Sequence, residues 1–319
     1  MTTLSIDHPP VLALADWVAG GQRGVLVTLV NIDGRSPRSL GAQMAVCEDG
    51  QTHGYLTGGC LEAEFALVAQ NVLNSGNNET RRYGKGSPYI DLHLPCGSGI
   101  DVYFDQGLKG ETLSEVTALS DGRVPFEMRI DLATGETRTT RLPDMAPNQA
   151  QAAAADGLFV RLYKPRLRLN IYGAGFSSLQ LAVLAGAAGM AVEFFASDGP
   201  TLKQAEAMGL PVRDLHGPDG RQRDTDEWTA TMLVFHDHIH EVPLLEEMIN
   251  RPGFFLGTIG SKLAAEQRRQ ALVDRGHSTE AIGRIAMSAG HVQRARSASE
   301  IAVGVLSQVL DTARDRSLV

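Results

Sequence analysis

Residues 168–198 read RLNIYGAGFSSLQLAVLAGAAGMAVEFFASD. An apolar run over 169–172 meets Gly173-Ala174-Gly175, an apolar helical segment continues to Gly189, and a second apolar run over 192–195 ends at Ser197-Asp198. This succession predicts strand, tight turn, helix and strand, the opening unit of a doubly wound, mainly parallel α/β sheet. The chemistry fits a nucleotide. Gly173 and Gly175 let the backbone approach a phosphate, the helix N-terminus presents free N–H groups to it, and Asp198 stands where an acid holds a ribose hydroxyl. Ser178 replaces the third glycine of that pattern, which loosens the helix against the strand. The alternative is a doubly wound fold whose crevice is empty or serves another purpose, because fold does not fix function.

Toward the C-terminus the same alternation continues. A short helix over 202–208 stops at Gly209, a charged loop spans 217–226, and 229–235 (TATMLVF) is a buried strand. It runs into His236-Asp237-His238-Ile239-His240, where three histidines alternate. Such spacing puts imidazoles on one face of an extended segment, as a metal site requires, but no second ligand motif accompanies it, so the segment also reads as the lining of a ligand crevice. A helix over 244–249 and a strand over 254–258 follow. Gly260-Ser261-Lys262 then opens a charged helix to Asp274, pairing a helix N-terminus with a cation as an anion site would; simple capping by Ser261 is the alternative. The last helix spans 298–313.

The chain has 319 residues, 43% hydrophobic, with a formal net charge of -8. That length suits two domains, and the acidic balance argues against a nucleic-acid or anionic-membrane partner. Arg81-Arg82, Arg268-Arg269 and Arg294 to Arg296 are local clusters where an anion is conceivable. Asp7-His8-Pro9-Pro10 interrupts any secretory apolar stretch, and no apolar run reaches the ~20 residues of a membrane span, so a cytoplasmic location is expected. Cys47, Cys60 and Cys96, odd in number and without a CxxC pair, read as free thiols.

The N-terminal half predicts a helix over 11–19, strands over 25–32 and 43–47, and an alternating strand over 100–105. Three loops stand out. In Gly34-Arg35-Ser36-Pro37-Arg38, two guanidinium groups flank a proline-stiffened turn, able to hold a phosphate or carboxylate; a solvated arginine turn is the alternative. Thr57-Gly58-Gly59-Cys60-Leu61-Glu62-Ala63-Glu64 leads into a helix. Its glycines offer backbone donors to an anion, and a cysteine in a first helical turn gains reactivity from the dipole, whereas a small buried hydrophobe is the other reading of Cys60. Glu62 and Glu64 read as first-turn acids. In Pro95-Cys96-Gly97-Ser98-Gly99 a thiol again precedes flexible backbone. Residues 125–142 predict a hairpin, and 143–157, with two prolines and an alanine run, a flexible or frayed helical linker.

Gly34 to Arg38 with Gly41-Ala42, then Gly58-Gly59-Cys60-x-Glu62, then Cys96-Gly97-x-Gly99-Ile100, resemble the successive motifs of the XdhC/CoxI family, the xanthine dehydrogenase accessory proteins. The resemblance covers residues 11–105 and 160–311. It implies an N-terminal α+β cofactor-binding domain over 1–160, with 106–160 as hairpin excursion and linker, and a Rossmann-like domain over 161–319; the anion-binding loops in both halves lead to the expectation of a cleft enclosed by the two. It also implies a chaperone that binds the molybdenum cofactor, as molybdopterin or its dinucleotide form, and protects it. A cysteine desulfurase sulfurates that cofactor, and the chaperone inserts it into an apo-molybdoenzyme of the xanthine dehydrogenase or aldehyde oxidoreductase type. Cofactor-biosynthesis proteins are then further partners, and a homodimer is implied. The cofactor-binding residues become Arg35, Ser36, Arg38, Gly58, Gly59, Cys60, Glu62, Cys96, Gly97, Gly173, Gly175, Asp198, His236, Asp237, His238, Gly260, Ser261 and Lys262, with Cys60 on the molybdenum.

The chain departs from the family at Phe176, where relatives carry histidine. It departs again at Met287-Ser288-Ala289-Gly290 and Arg294, where relatives carry Pro-Ile-Gly and a later glycine. No nucleophile, base and orienting group stand together, which favours an accessory factor over an enzyme. The competing class is an NAD(P)- or flavin-dependent oxidoreductase that uses the crevice at Gly173 and Asp198, with His236 or His238 as acid-base group. A nucleotide-sensing regulator is the third.

Overall fold

The computed structural model describes residues 8–88, 97–143, 145, 151–221, 224–235 and 241–319. The chain forms two compact units that meet at Pro165 and Arg166. In the first, helix α1 (Pro10–Ala19) starts with proline where no N–H is needed and buries Val11, Leu14 and Trp17. Strands β1 (Gly24–Asp33), β2 (Gln43–Cys47) and β3 (Thr52–Gly54), helix α2 (Glu62–Ser75), then strands β4 (Glu79–Gly84) and β5 (Gly99–Asp105) follow. The five strands form an antiparallel sheet in the order β3-β2-β1-β5-β4.

Central β1 is buried on both faces from Gly24 to Val30, which is why its sequence is an apolar run rather than an alternation. Val25, Val27 and Leu29 pack with Phe65, Val68 and Val72 of α2. Leu26 faces the other way, into a core shared with Val11, Leu14 and Trp17 of α1 and with Leu113 and Val116 of helix α3 (Gly110–Asp121). Val30 meets Ile130 and Phe159 of a second antiparallel sheet. That sheet is built from β6 (Phe126–Asp131), β7 (Thr137–Arg141), β8 (Ala152–Ala155) and β9 (Leu158–Tyr163) in the order β7-β6-β9-β8.

The hairpin expected over 125–142 is β6 and β7. The alanine run expected as a frayed helical linker is instead strand β8, paired with β9 from Ala152↔Arg161 to Ala155↔Leu158. Tertiary pairing overrides the helix propensity of alanine there, because β9 offers a free ladder and four alanines are too few to hold a helix alone. Cys47 lies at 0% exposure in the core with Leu26 and Trp17, and burial is the first cause raising its thiol pKa.

In the second unit all six strands are parallel. They are β10 (Arg168–Gly173), β11 (Ala191–Ala196), β12 (Val212–Asp214), β13 (Thr229–Val234), β14 (Phe255–Thr258) and β15 (Ile285–Ala286). Between and after them lie α4 (Gly175–Ala187), α5 (Gly199–Ala207), α6 (Glu241–Met248), α7 (Lys262–Asp274), α8 (Thr279–Gly283) and α9 (Ala298–Asp315). The sheet order is β12-β11-β10-β13-β14-β15. Numbered within the unit it reads 3-2-1-4-5-6, the dinucleotide-fold order, with its switch point between β10 and β13. Helices α6, α7 and α8 supply Leu245, Leu272 and Ile282 to the core on one side, with Tyr172, Phe195 and Leu233 from the strands. Helix α9 packs on α4. The doubly wound parallel sheet and the antiparallel N-terminal sheets are the α/β class expected from the sequence.

Candidate functional site

One end of the first sheet gathers the glycine loops. Register places Asp33 opposite Gly99, Gly84 opposite Gly99, and Gly54 opposite Met44, so the segments after β1, β3 and β4 and the one before β5 emerge together. Arg82 ties this end: it donates to Asp33 at 3.1 Å, to Asp101 Oδ2 at 3.1 Å and to the Lys85 carbonyl at 3.0 Å. A side chain at Gly99 would collide with that guanidinium, so the close approach requires glycine there. Arg81 pairs with Glu79 at 2.6 Å. The expectation of a local anion site at Arg81-Arg82 is therefore corrected: both cations are already paired within the sheet.

The Gly34 to Arg38 loop is held from two sides. The Ser98 hydroxyl donates to the Arg35 carbonyl at 2.5 Å, and the Arg38 guanidinium lies 4.5 Å from the Tyr55 ring centre while donating to its hydroxyl at 3.3 Å. The Ser36 hydroxyl accepts from the Arg38 N–H at 3.3 Å. Arg35 and Arg38 are both exposed, and among the described residues neither pairs with a carboxylate. Gly97 turns with φ 66° beside this loop. Cys96 lies outside the described residues.

In the Gly58-Gly59-Cys60 loop the structure corrects one expectation and adds to another. Helix α2 begins at Glu62 with Leu61 as N-cap, so exposed Cys60 precedes the helix rather than standing in its first turn. Glu62 stands in the first turn of α2, as expected, and its side chain turns back into the loop. Its carboxylate accepts from the N–H groups of Leu56 (3.0 Å), Thr57 (2.6 Å), Gly58 (3.1 Å), Gly59 (2.8 Å) and Leu61 (3.2 Å), and from the Thr57 hydroxyl (2.8 Å). Gly58 and Gly59, at φ 77° and 109°, give the chain the curvature that aims successive amides inward. The donors that the sequence offers to a bound anion, or to a Cys60 thiolate, are thus taken by the protein's own carboxylate. Glu62 is the loop's internal anion, and Cys60 stands at its tip.

Partial burial alone would raise the Glu62 pKa, but the Thr57 and neighbouring bonds outweigh it and hold it at about 2. A folded-state pKa below the unfolded value means stability that is full above about pH 4.5 and lost as pH falls toward 2. Glu62→Gln should therefore lower stability at pH 7 by about 1–3 kcal/mol, the range allowing for solvent screening of a half-exposed group. Urea midpoints of the two proteins should converge as pH falls from 5 to 3; a gap that stays constant with pH would remove the charge from the explanation.

In the second unit, Gly173 passes so close to β13 that a Cβ there would lie 2.6 Å from the Val234 carbonyl carbon. Thr201 joins the two helix starts: its hydroxyl accepts from the Gly175 N–H at 2.8 Å, and its own N–H donates to Asp198 at 2.7 Å. Asp198 is thereby the N-cap of α5, a use the sequence reading did not foresee. Ser178, fully buried, donates to the Gly175 carbonyl at 2.8 Å. Phe176, which follows Gly173-Ala174-Gly175, is 70% exposed.

Ser261 caps α7 by accepting from the Ala264 N–H at 3.2 Å, which realises the capping alternative, and Lys262 beside it is exposed. A cleft of about 780 Å³ opens at the carboxyl ends of β13, β14 and β15, lined by Ser177, Gly260, Ser261, Lys262, Gly290 and Arg294. Arg294 holds φ 58°, a left-handed backbone that favours glycine, and adds a cation to the cleft wall. Beneath the cleft, Arg268 is 1% exposed and pairs with fully buried Glu241 at 2.5 Å. It also donates to the Ile259 carbonyl at 2.7 Å and the Met287 carbonyl at 3.3 Å. Arg268 is hence a structural cation, not the anion site expected of Arg268-Arg269, and Arg269 pairs with Glu266 on the surface. Its position on the buried stripe Ala264, Ala265, Arg268, Leu272 is the signal that could have found it.

His236, Asp237, His238 and His240 lie outside the described residues. Among the described residues no group of three or more metal-ligating side chains gathers, and no helix is long and apolar enough to cross a membrane.

Residues 17–84 match the XdhC and CoxI family, and residues 169–309 match the XdhC Rossmann domain. The chain is 34% identical over 307 residues, 96% of its length and 89% of the relative's, to the molybdenum cofactor insertion chaperone PaoD of Escherichia coli strain K12. Its fold is shared with the crystal structure of a xanthine dehydrogenase from Bacillus halodurans at a TM-score of 0.76 and 22% identity, covering 96% of each chain. With two domain matches in order and a relative aligned over nearly all of both chains, this chain belongs to the XdhC and CoxI family.

Proposed function

We propose that the protein is a molybdenum-cofactor chaperone that binds the cofactor, shields it and inserts it into an apo-molybdoenzyme. The observation that carries this reading is the identity of 34% across 96% of the chain with a relative named for cofactor insertion. The loop geometry supports it. Exposed Cys60 offers a soft ligand suited to a thiophilic metal, and Arg35 and Arg38, without carboxylate partners among the described residues, offer hard cations to a phosphorylated tail. The same sheet end thus provides for both chemistries of a metal-bearing, phosphorylated pterin.

In its finer form the proposal has a cysteine desulfurase sulfurate the cargo on this carrier. The client is a xanthine dehydrogenase or aldehyde oxidoreductase type of enzyme, and the cargo is molybdopterin or its dinucleotide, handed on by cofactor-biosynthesis proteins. The carrier acts as a cytoplasmic homodimer. The dinucleotide-fold strand order favours a nucleotide, either NAD(P) or the cargo's own tail, as ligand of the second unit. A titration with NAD(H) and with a cytidine or guanosine nucleotide separates these.

The central test incubates the protein anaerobically with the cofactor and measures molybdenum retained after gel filtration. Wild type should retain close to one molybdenum per chain or per site pair. Cys60→Ser should keep the melting curve, because the thiol is exposed, yet lose most of the metal. Cys47→Ser buries a hydroxyl in the core and should be less stable by about 1–3 kcal/mol while still retaining cargo. Full retention by Cys60→Ser would leave the arginine loop as the holding site, and no retention by wild type would end the chaperone reading.

A further inference from the structure

Strand β9 carries Phe159, Arg161 and Tyr163 on one face. Phe159 and Tyr163 both enter apolar clusters, so the residue between them is expected to be apolar, and it is an arginine. Its cross-strand neighbours are Met128 on β6 and Ala152 on β8. Gly41, from the loop that leads out of Arg38, closes on it: a Cβ there would lie 3.1 Å from the Arg161 Nη1 and 2.7 Å from the Ala152 methyl. The guanidinium lies 4.8 Å from the Tyr163 ring centre, and the Tyr163 hydroxyl is anchored by donating to Gln43 at 2.9 Å. The Arg161 Nε is buried and has no hydrogen-bond partner, and no carboxylate pairs with this side chain among the described residues. The second charge acting on it is Arg38, another cation. Burial lowers the Arg161 pKa from the ordinary guanidinium value, Tyr163 opposes that shift and Arg38 adds to it.

A partly buried cation in the field of a second cation, with its Nε unanswered and no carboxylate partner among the described residues, is costly unless an anion comes from outside the chain. Both guanidinium planes are fixed by tyrosines, Arg38 on Tyr55 and Arg161 on Tyr163, so the pair is preorganised rather than mobile. We propose that Arg161 and Arg38 together form a two-guanidinium clamp for phosphoryl oxygens, with Gly41 as the seat that admits the Arg161 fork. That the phosphoryl group belongs to the cofactor's tail rests on the chaperone reading; the anion site itself rests on the geometry. Gly41 in the family motif then has a physical reason, since a larger residue would displace the fork.

The test uses the full chain and calorimetric titration with inorganic pyrophosphate and inorganic phosphate, at moderate ionic strength. Wild type should bind pyrophosphate more tightly than phosphate, and Arg161→Met and Arg38→Met should each weaken it by roughly tenfold or more, the loss typical of a charge-assisted contact. Arg161→Lys should recover only part, because an ammonium lacks the bidentate fork. Arg161→Met should melt no lower than wild type, since it removes an uncompensated cation; a structural arginine would do the opposite. Exposed Arg38→Met tests the clamp even if the Arg161 variant misfolds. Pyrophosphate affinity unchanged in folded Arg161→Met and in Arg38→Met would overturn the clamp. Pyrophosphate binding through these arginines in a protein that retains no cofactor would keep the clamp and remove the chaperone reading. Undiminished cofactor retention by an Arg161→Met variant that has lost pyrophosphate binding would keep the anion site and overturn its assignment to the cofactor's tail.

Discussion

Arg268→Met should lower the stability of the protein by about 3–5 kcal/mol, the cost typical of stranding one member of a buried ion pair. The methionine fills much of the volume, so packing loss is small and the electrostatic loss dominates. Glu241, at 0% exposure, would keep a carboxylate in the core without its 2.5 Å partner, the Ile259 carbonyl would lose the Arg268 donor, and the Met287 carbonyl would keep only the Thr258 hydroxyl of the two side chains that donate to it. The double variant Arg268→Met with Glu241→Leu should recover most of the loss, because an apolar pair of similar size avoids the desolvation cost altogether. Urea unfolding of the two single variants and the double gives the cycle. A single-variant loss below about 1 kcal/mol would mean that the pair contributes nothing net. Since both carbonyls belong to loops entering the 780 Å³ cleft, the single variant should also loosen that cleft.

Gly173→Ala should cost about 3 kcal/mol or more and reduce soluble yield, because the added methyl meets backbone that cannot step aside. Gly173 pairs with Val234 across the two central strands, and the Cβ would stand 3.1 Å from the Val234 Cα and overlap its carbonyl. Relief requires β10 and β13 to part at the switch point, where Ala174 donates to the Val234 carbonyl at 3.2 Å. Gly186 is the control. It lies within α4 and a Cβ there meets nothing within 4 Å, so Gly186→Ala should raise stability by about 0.5–1 kcal/mol through helix propensity. Equal melting temperatures for the two alanine variants would remove close strand approach as the reason for glycine at 173.

The fold of the second unit was legible because its strands are continuous apolar runs separated by helical spacing, and parallel burial imposes that pattern. Its outermost strands were not. Val212–Asp214 and Ile285–Ala286 are too short to show a period, and only pairing with β11 and β14 defines them. In the first unit, ETRRYG of β4 buries one side chain fully, Tyr83, and its arginines read as a local basic cluster for an anion rather than as part of an edge strand. Helix α3 carries Leu113, Val116 and Leu119 diluted among serines and threonines, and the sequence reading passed over it. For the site, glycines marked where the backbone turns, so the loops at Gly34, Gly58 and Gly97 were found. What fills a loop was not legible: that Glu62 folds back onto five amides depends on the curvature of Gly58 and Gly59, which spacing alone does not give. Arg161 and Arg268 lay in plain view as charges on apolar stripes, a pattern that only burial turns into meaning.

The carboxylate that threads the 56–61 amides has a bearing on the empty protein. A loop ordered by its cargo would make loading a folding step and delivery an unfolding one, since a ligand that binds only the folded form adds its binding free energy to stability and withdraws it on leaving. Here Glu62 orders the loop from within the chain, so on the proposed chaperone reading the shape around Cys60 needs no cargo to form. Binding free energy then goes into holding the passenger rather than into arranging the hand. On the proposed reading, a carrier built this way would come out of each delivery folded and ready for another round.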